Sequence, residues 1–199
     1  MMMRFSALAV PLVIASCGPA AGTACPLRVA TPAALEHAFA CAPAGATIEL
    51  DPAPYGELRL ADRNRGSLLL RSADAKRPAT FTSLAIASSS GIHLADLRFS
   101  GRPGRQSYGL LVSGSREMQV DRTEFAGPGT AGETRPIIAL MLRDSTDLAV
   151  RNSRFSGYKH GIALLNVQRT IIADNRFSDL QTDGVRGGGA SDLLVERNQ

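Results

Sequence analysis

Five segments of the chain, all beyond residue 82, align with one another without an internal gap. They begin at Ser83, Gly109, Ala139, Gly161 and Gly184 and read SLAIASSSGIHLADLRFSG, GLLVSGSREMQVDRTEFAG, ALMLRDSTDLAVRNSRFSG, GIALLNVQRTIIADNRFSD and GVRGGGASDLLVERNQ. An aliphatic residue stands eleven positions after each start (Leu94, Val120, Val150, Ile172 and Val195), and a phenylalanine stands sixteen positions after the first four starts (Phe99, Phe125, Phe155 and Phe177). A repeat of this kind is typical of solenoids, in which each turn packs only on its neighbours.

Apolar residues alternate with other residues inside each copy, as they do in strands that bury one face. Successive copies start 26, 30, 22 and 23 residues apart, and all of this variation follows the phenylalanine. The two insertions, 101–106 and 127–135, are rich in Gly, Pro and charged residues, which is typical of surface loops. The sequence therefore predicts parallel strands with buried aliphatic and phenylalanine columns and one corner of variable length.

Residues 28–60 read as a short helix, a turn, a strand and a tyrosine-bearing turn. Thr31 is a suitable N-cap and Pro32 suits the first helical position, so we expect the helix to begin there and to cover one end of the solenoid. Together with the repeats, this opening resembles the right-handed parallel β-helix proteins of the pectate-lyase-like superfamily, over about residues 28–199. The resemblance implies an all-β fold, a right-handed parallel β-helix (solenoid) with a short N-terminal capping helix.

The superfamily contains pectate, alginate and chondroitin lyases, mannuronan epimerases and polygalacturonases. It also contains adhesins and phage tailspikes that lack a comparable site. The resemblance therefore implies an exported carbohydrate-active protein that acts on an acidic, uronate-containing polysaccharide by β-elimination or C5 epimerisation. The alternative is a noncatalytic carbohydrate-binding or adhesin-like surface protein.

The first seventeen residues, MMMRFSALAVPLVIASC, combine one arginine with an apolar run from Phe5 to Ala15. This run is typical of a secretory signal and is too short to span a bilayer. The stretch Ile14-Ala15-Ser16-Cys17 resembles a bacterial lipobox, which would make Cys17 the lipidated first residue; the alternative is signal cleavage at residues 20–24. We expect a monomer in the periplasm or on the outer membrane, held there only by a lipid anchor, or alternatively a secreted protein.

The fifth copy ends at Gln199, one position before its expected phenylalanine. This predicts a signal and linker over residues 1–24 and a β-helix domain over residues 25–199 that is incomplete at its C-terminus. In the related enzymes the catalytic groups tend to lie on the outer face of central and later turns. We therefore expect the main catalytic groups to lie beyond residue 199.

The chain has three cysteines. If Cys17 carries lipid or leaves with the signal, Cys25 and Cys41 remain as a pair in an oxidising compartment, which predicts a disulfide between them. Closing a loop of this size stabilises a fold by about 3 kcal/mol in the chain-entropy model. The alternative is a pair of buried free thiols.

The formal net charge of the whole chain is +4. A modestly basic exported surface is compatible with acidic polysaccharide or with lipid head groups, and also with an ordinary solvated surface. Nucleic acid is not an expected partner, because the chain is predicted to be exported.

The sharpest polar cluster lies in the short loops of the later copies. Lys159 and His160 come four and five residues after the phenylalanine of their copy, and Asp183 comes six residues after the next phenylalanine. Lys159 is within reach of Asp183 across one turn, and Arg186 points outward from the next strand. We therefore predict Lys159, His160, Asp183 and Arg186 as candidate catalytic residues. The alternative is a surface ion pair worth about 0 to 1 kcal/mol.

Lyases and epimerases of uronate polymers neutralise the sugar carboxylate with Arg or Ca²⁺, so that a basic residue can remove the C5 proton. Ca²⁺ is therefore the one cofactor that the chemistry suggests. Asn175 and Asn198 stand two positions before the phenylalanine position of their copies, where a turn is expected. Their equal positions in successive turns predict a stacked amide ladder. Calcium binding is the alternative role for this column.

Paired carboxylates would indicate glycoside hydrolysis, which needs two of them roughly 5 to 9.5 Å apart. Asp174 with Asp183, or Asp147 with Asp192, are the candidate pairs. A periodic fold also stacks carboxylates by chance, and that is the alternative.

Overall fold

The computed structural model describes residues 24–101, 108–128 and 138–199. Three parallel sheets wrap around one hydrophobic core, and every strand pairing among the described residues is parallel. The predicted parallel β-solenoid is confirmed.

The first sheet carries the first strand of each repeat. It contains β3 (Pro54–Ala61), β5 (Thr80–Ala87), β8 (Tyr108–Ser113), the first part of β11 (Ile138–Arg151), the first part of β13 (His160–Ala173) and β15 (Val185–Gly188).

The second sheet carries the second strand of each repeat. It contains β1 (Arg28–Val29), β2 (Ala46–Leu50), β4 (Leu68–Ser72), β6 (Ile92–Ala95), β9 (Arg116–Asp121), the later parts of β11 and β13, and β16 (Ser191–Glu196). The third sheet consists of three-residue strands that centre on the phenylalanines: β7 (Arg98–Ser100), β10 (Glu124–Ala126), β12 (Arg154–Ser156) and β14 (Arg176–Ser178).

The short helix α1 (Pro32–Cys41) lies where the sequence predicts it. The hydroxyl of Thr31 accepts a hydrogen bond from the Ala34 N–H at 3.2 Å, which satisfies one of the free amides of the first turn. Leu35 and Phe39 are buried in the same core as the strands. The helix therefore packs on the early strands, as expected of a cap.

The two repeat columns stack in register across the turns. The aliphatic residues at the eleventh position pair from strand to strand in the order Leu94, Val120, Val150, Ile172 and Val195. The first four are at most 2% exposed. Val195 is 46% exposed because, among the described strands, it has a neighbour only on the side of Ile172. The predicted inward column is therefore confirmed, with its last member open to solvent.

The phenylalanine column is longer than the repeats predict. Six aromatic rings stack in a continuous row with centroid separations of 4.6 to 5.6 Å, in the order Tyr55, Phe81, Phe99, Phe125, Phe155 and Phe177. Tyr55 and Phe81 precede the aligned copies, so the ungapped alignment misses them. Tyr55 also donates its hydroxyl to the carbonyl of Val29 at 2.7 Å, and burial raises the pKa of this phenol to about 12.

Side-chain ladders fix the backbone at the bends between sheets. The predicted amide ladder is present: Asn198 Oδ1 accepts from the Asn175 N–H at 2.9 Å, and Asn175 Oδ1 accepts from the Ser153 N–H at 2.9 Å. At the other bend, Ser115 and Ser145 continue an equivalent hydroxyl ladder, in which each Oγ accepts an N–H of the preceding turn. These bonds satisfy buried amides that the strand pairing leaves free.

The predicted disulfide joins Cys25 to Cys41, with an S–S distance of 2.07 Å. It ties the segment before β1 to the last residue of α1. Cys17 and residues 1–23 of the predicted signal and linker (residues 1–24) lie outside the described residues. Among the helices of the described part, none is long and apolar enough to cross a membrane.

Replacing Phe155 with Ala should lower the free energy of unfolding by about 3 to 5 kcal/mol, because a fully buried ring with a neighbour on each side is lost. The matched control is Phe177→Ala, which removes the half-buried ring at the end of the row and should cost less. Urea unfolding of both variants measures the difference. Equal losses, or a loss below about 1 kcal/mol for Phe155→Ala, would contradict the buried column.

Replacing both Cys25 and Cys41 with Ser should lower the free energy of unfolding by about 3 kcal/mol, since the open chain gains entropy when the loop is no longer closed. Mass spectrometry of the alkylated protein checks the bond directly. Two alkylated thiols in the untreated protein would be incompatible with it.

Candidate functional site

The predicted polar residues meet at the corner between the third and first sheets. Backbone hydrogen bonds set their register: Gly161 N–H donates to the Asp183 carbonyl at 2.9 Å, and Thr182 N–H donates to the Lys159 carbonyl at 3.0 Å. His160, the first residue of β13, is therefore level with the loop that leads into β15.

His160 contacts three polar side chains and is itself buried, with 5% of its surface exposed. Its Nδ1 lies 3.0 Å from Asp183 Oδ2 and 2.6 Å from Thr182 Oγ1. Its Nε2 lies 2.9 Å from an amino group of Arg186. The imidazole therefore links the loop before β15 to a side chain on β15 itself.

Burial lowers the pKa of His160, and the positive charges of Arg186 and Lys159 lower it further, while Asp183 opposes the shift. The ring is therefore neutral near pH 7. A neutral imidazole can accept a hydrogen bond from Arg186, which a protonated one cannot do.

Arg186 differs from three other arginines at the corners of the β-helix. Arg122, Arg169 and Arg197 each bind a carboxylate of a neighbouring turn at 2.6 to 2.8 Å. Among the described residues, Arg186 forms no ion pair and is held by His160. Its side chain is exposed, so its charge is open to an anion from solution.

The outer face of the first sheet leads away from Arg186 over apolar side chains. Strand pairing places Arg186 beside Ala163, Ala163 beside Met141, and Met141 beside Leu111. On the described part of this face, the Arg186 guanidinium therefore lies next to a column of uncharged side chains.

The structure brings together His160, Asp183 and Arg186, but it does not pair Lys159 with Asp183 as the sequence suggested. The Asp183 carboxylate contacts His160 instead, and Lys159 forms no ion pair within the described part of the chain. The ammonium of Lys159 is still close enough to lower the pKa of His160. The physical reason is the register, which sets Asp183 level with His160 and Thr182 level with Lys159.

Thr182 is the site residue that sequence reasoning missed. Its hydroxyl lies 3.0 Å from the Lys159 carbonyl as well as 2.6 Å from His160. The signal that could have found it is its position directly before Asp183, in a loop whose backbone pairs residue by residue with the preceding turn.

The two acid pairs considered for glycoside hydrolysis are not brought together. Asp174 follows the end of β13 and binds Arg197, whereas Asp183 lies level with the start of that strand. Asp147 binds Arg169, the residue that strand register places between Asp147 and Asp192. Arginines therefore separate or neutralise these acids.

No cluster of three or more His, Cys, Asp or Glu side chains suited to a metal ion occurs among residues 24–101, 108–128 and 138–199. The amide column of Asn175 and Asn198 is used for backbone hydrogen bonds. These bonds account for the structural role predicted for it.

Neither a protein-family model nor a curated protein sequence matches this chain. A solved structure does match: the crystal structure of an alginate lyase from Paenibacillus sp. str. FPU-7 superposes on 86% of this chain with a TM-score of 0.66 and 17% sequence identity. The present chain covers 65% of the length of that lyase chain. This likeness, together with the stacked parallel turns, defines a protein with a parallel β-helix fold like that of this solved structure.

The lowered pKa of His160 should be visible in an NMR titration of the imidazole, with a midpoint below the ordinary value of about 6.5. As the pH falls from about 6.5 toward the folded pKa, the histidine binds more protons in the unfolded chain than in the folded one. The contribution of His160 to stability is therefore full above about pH 6.5 and falls as the pH drops toward the folded pKa. His160→Gln assigns the resonance and should remove this part of the pH dependence. A midpoint above 6.5 would contradict the neutral assignment.

Proposed function

We propose that this protein acts on an acidic, uronate-containing polysaccharide by β-elimination or C5 epimerisation, at the corner that carries Lys159, His160, Asp183 and Arg186. The observation that carries the proposal is the exposed Arg186 guanidinium, which is held in place by a neutral imidazole and forms no ion pair among the described residues. The fold likeness to a solved alginate lyase supports the choice of polymer class.

Arg186 would bind the carboxylate of one sugar residue. Neutralising that carboxylate makes the C5 proton more acidic, because the charge that develops on removal of the proton is spread onto the carboxylate. A planar guanidinium matches a carboxylate with two parallel hydrogen bonds, so it fixes orientation as well as charge.

The base in this chain would be Lys159. The alternative, His160, contacts Asp183 through Nδ1 and Arg186 through Nε2, so both of its ring nitrogens are already in use, whereas Lys159 forms no ion pair among the described residues. To act as the base, Lys159 must first give its own ammonium proton to solvent. The free amine then takes the C5 proton, and the electron pair of the C–H bond becomes available at C5. In β-elimination that pair forms the C4–C5 double bond, while the C4–O bond breaks and the leaving oxygen takes a proton. In epimerisation C5 instead regains a proton from its opposite face.

The disulfide supports a location outside the cytoplasm, because such bonds persist in oxidising compartments. We propose that the chain works in the periplasm, at the outer membrane through lipid on Cys17, or as a secreted protein, where extracellular polymers are accessible. The sequence pattern of residues 1–17 supports this export route.

The test is an assay of the protein on alginate, pectate and chondroitin, which follows new unsaturated ends by ultraviolet absorbance and C5 inversion by NMR. Arg186→Ala should lower kcat/KM about 100-fold or more, because a group that stabilises the developing charge is lost. The matched control is Arg169→Ala, whose guanidinium is already neutralised by Asp147 at another corner, and it should retain activity.

Binding to the same polymers, and to alginate with its carboxylates chemically reduced, separates the two functional classes. Binding that depends on the carboxylates without any turnover would identify a binding protein rather than an enzyme. Neither binding nor turnover on any acidic polymer would refute the proposal.

A further inference from the structure

We propose that Thr182 and Asp183 are positioning residues that hold His160 as its Nδ1–H tautomer, so that the Nε2 lone pair orients Arg186 and leaves the guanidinium charge available for an anionic ligand. The inference rests on the proposed function for the identity of that ligand, a sugar carboxylate. It assigns a role to Thr182, which none of the chemistry above requires.

The hydrogen-bond partners of His160 permit one arrangement of protons. Arg186 can only donate, so Nε2 must accept and carries no proton. The Asp183 carboxylate only accepts, so Nδ1, 3.0 Å away, must carry the proton. This assignment comes from the network of partners and agrees with a neutral ring.

Thr182 supports the same arrangement. Its hydroxyl has one proton, and the Lys159 carbonyl, 3.0 Å away, can only accept it. The lone pairs of Oγ1 therefore face His160 Nδ1 at 2.6 Å and accept its proton. Two acceptors on separate side chains thus stabilise one tautomer.

The consequence for Arg186 is electrostatic. An arginine held by a carboxylate, as Arg169 is by Asp147, has its charge largely neutralised before any ligand arrives. Arg186 is held by an uncharged acceptor and keeps its full charge. The corner therefore combines a fixed orientation with an open positive charge, which preorganised binding of a carboxylate needs.

The described titratable groups around the ring act in opposite directions. Arg186 on β15 and Lys159 on its own segment oppose protonation of His160, and Asp183 in the loop between β14 and β15 favours it. A proton on Nε2 would face the N–H of Arg186 and remove its acceptor. Polymer binding should therefore weaken at pH values below the His160 pKa.

The experiment compares wild type, Thr182→Ser, Thr182→Val and the double variant Thr182→Val/Asp183→Asn. Nitrogen-15 NMR of the His160 ring reports the tautomer, and calorimetric titration with alginate oligomers reports affinity. We expect the Nδ1–H tautomer in wild type and in Thr182→Ser. The double variant should populate the Nε2–H form and bind about tenfold more weakly, because Arg186 loses a hydrogen bond that involves a charged group.

Thermal unfolding and the NMR signals of the other histidines show whether each variant is folded. Thr182→Val, which removes one of the two acceptors of His160 Nδ1, tests the idea even if the double variant does not fold: it should populate more of the Nε2–H form than Thr182→Ser does. An Nε2–H or protonated ring in folded wild type at neutral pH would overturn the inference. So would a double variant that keeps both the tautomer and the affinity. Failure of wild type to bind any polyuronate, with the Nδ1–H form still observed, would instead refute the proposed function and leave the proton arrangement standing.

Discussion

The structure depends on the in-register stacking of parallel turns about 4.8 Å apart. Each turn covers the apolar edge of the one before it, so a residue at a given position meets its equivalent in the next turn. A slip of one residue would turn every buried side chain outward. The aromatic row from Tyr55 to Phe177 and the ladder through Asn175 both depend on this register, which is interrupted by a bulge between β3 and β5.

The same register also builds the candidate site. This site lies at the corner between the third and first sheets, where the length of the loop varies from turn to turn. Between β12 and β13, and again between β14 and β15, the connections are short enough for their backbones to pair directly. This pairing brings Thr182 and Asp183 against His160, and it sets Arg186 one strand further on. A scaffold that is rigid through stacking therefore presents a small polar cluster at its edge, a common arrangement for functional sites.

Much of the fold could be predicted from local pattern. The repeat spacing predicted the inward column through Val150 and the buried row through Phe155, and Thr31 with Pro32 predicted the start of α1. The first members of the aromatic row escaped prediction, because the early turns lack the spacing of the later copies. Tyr55 joins the row through strand pairing between β3 and β5, which includes a bulge.

For this protein the sequence by itself determined the solenoid, its columns and the set of polar residues near one corner, because these depend on periodicity along the chain. It did not determine which of those residues touch. Only the tertiary structure decided that Asp183 contacts His160 rather than Lys159, and that His160 holds Arg186. The reason is that a side chain in a loop contacts the residues that the backbone register places beside it in the neighbouring turn. When the loops of two turns differ in length, this register cannot be counted from the sequence.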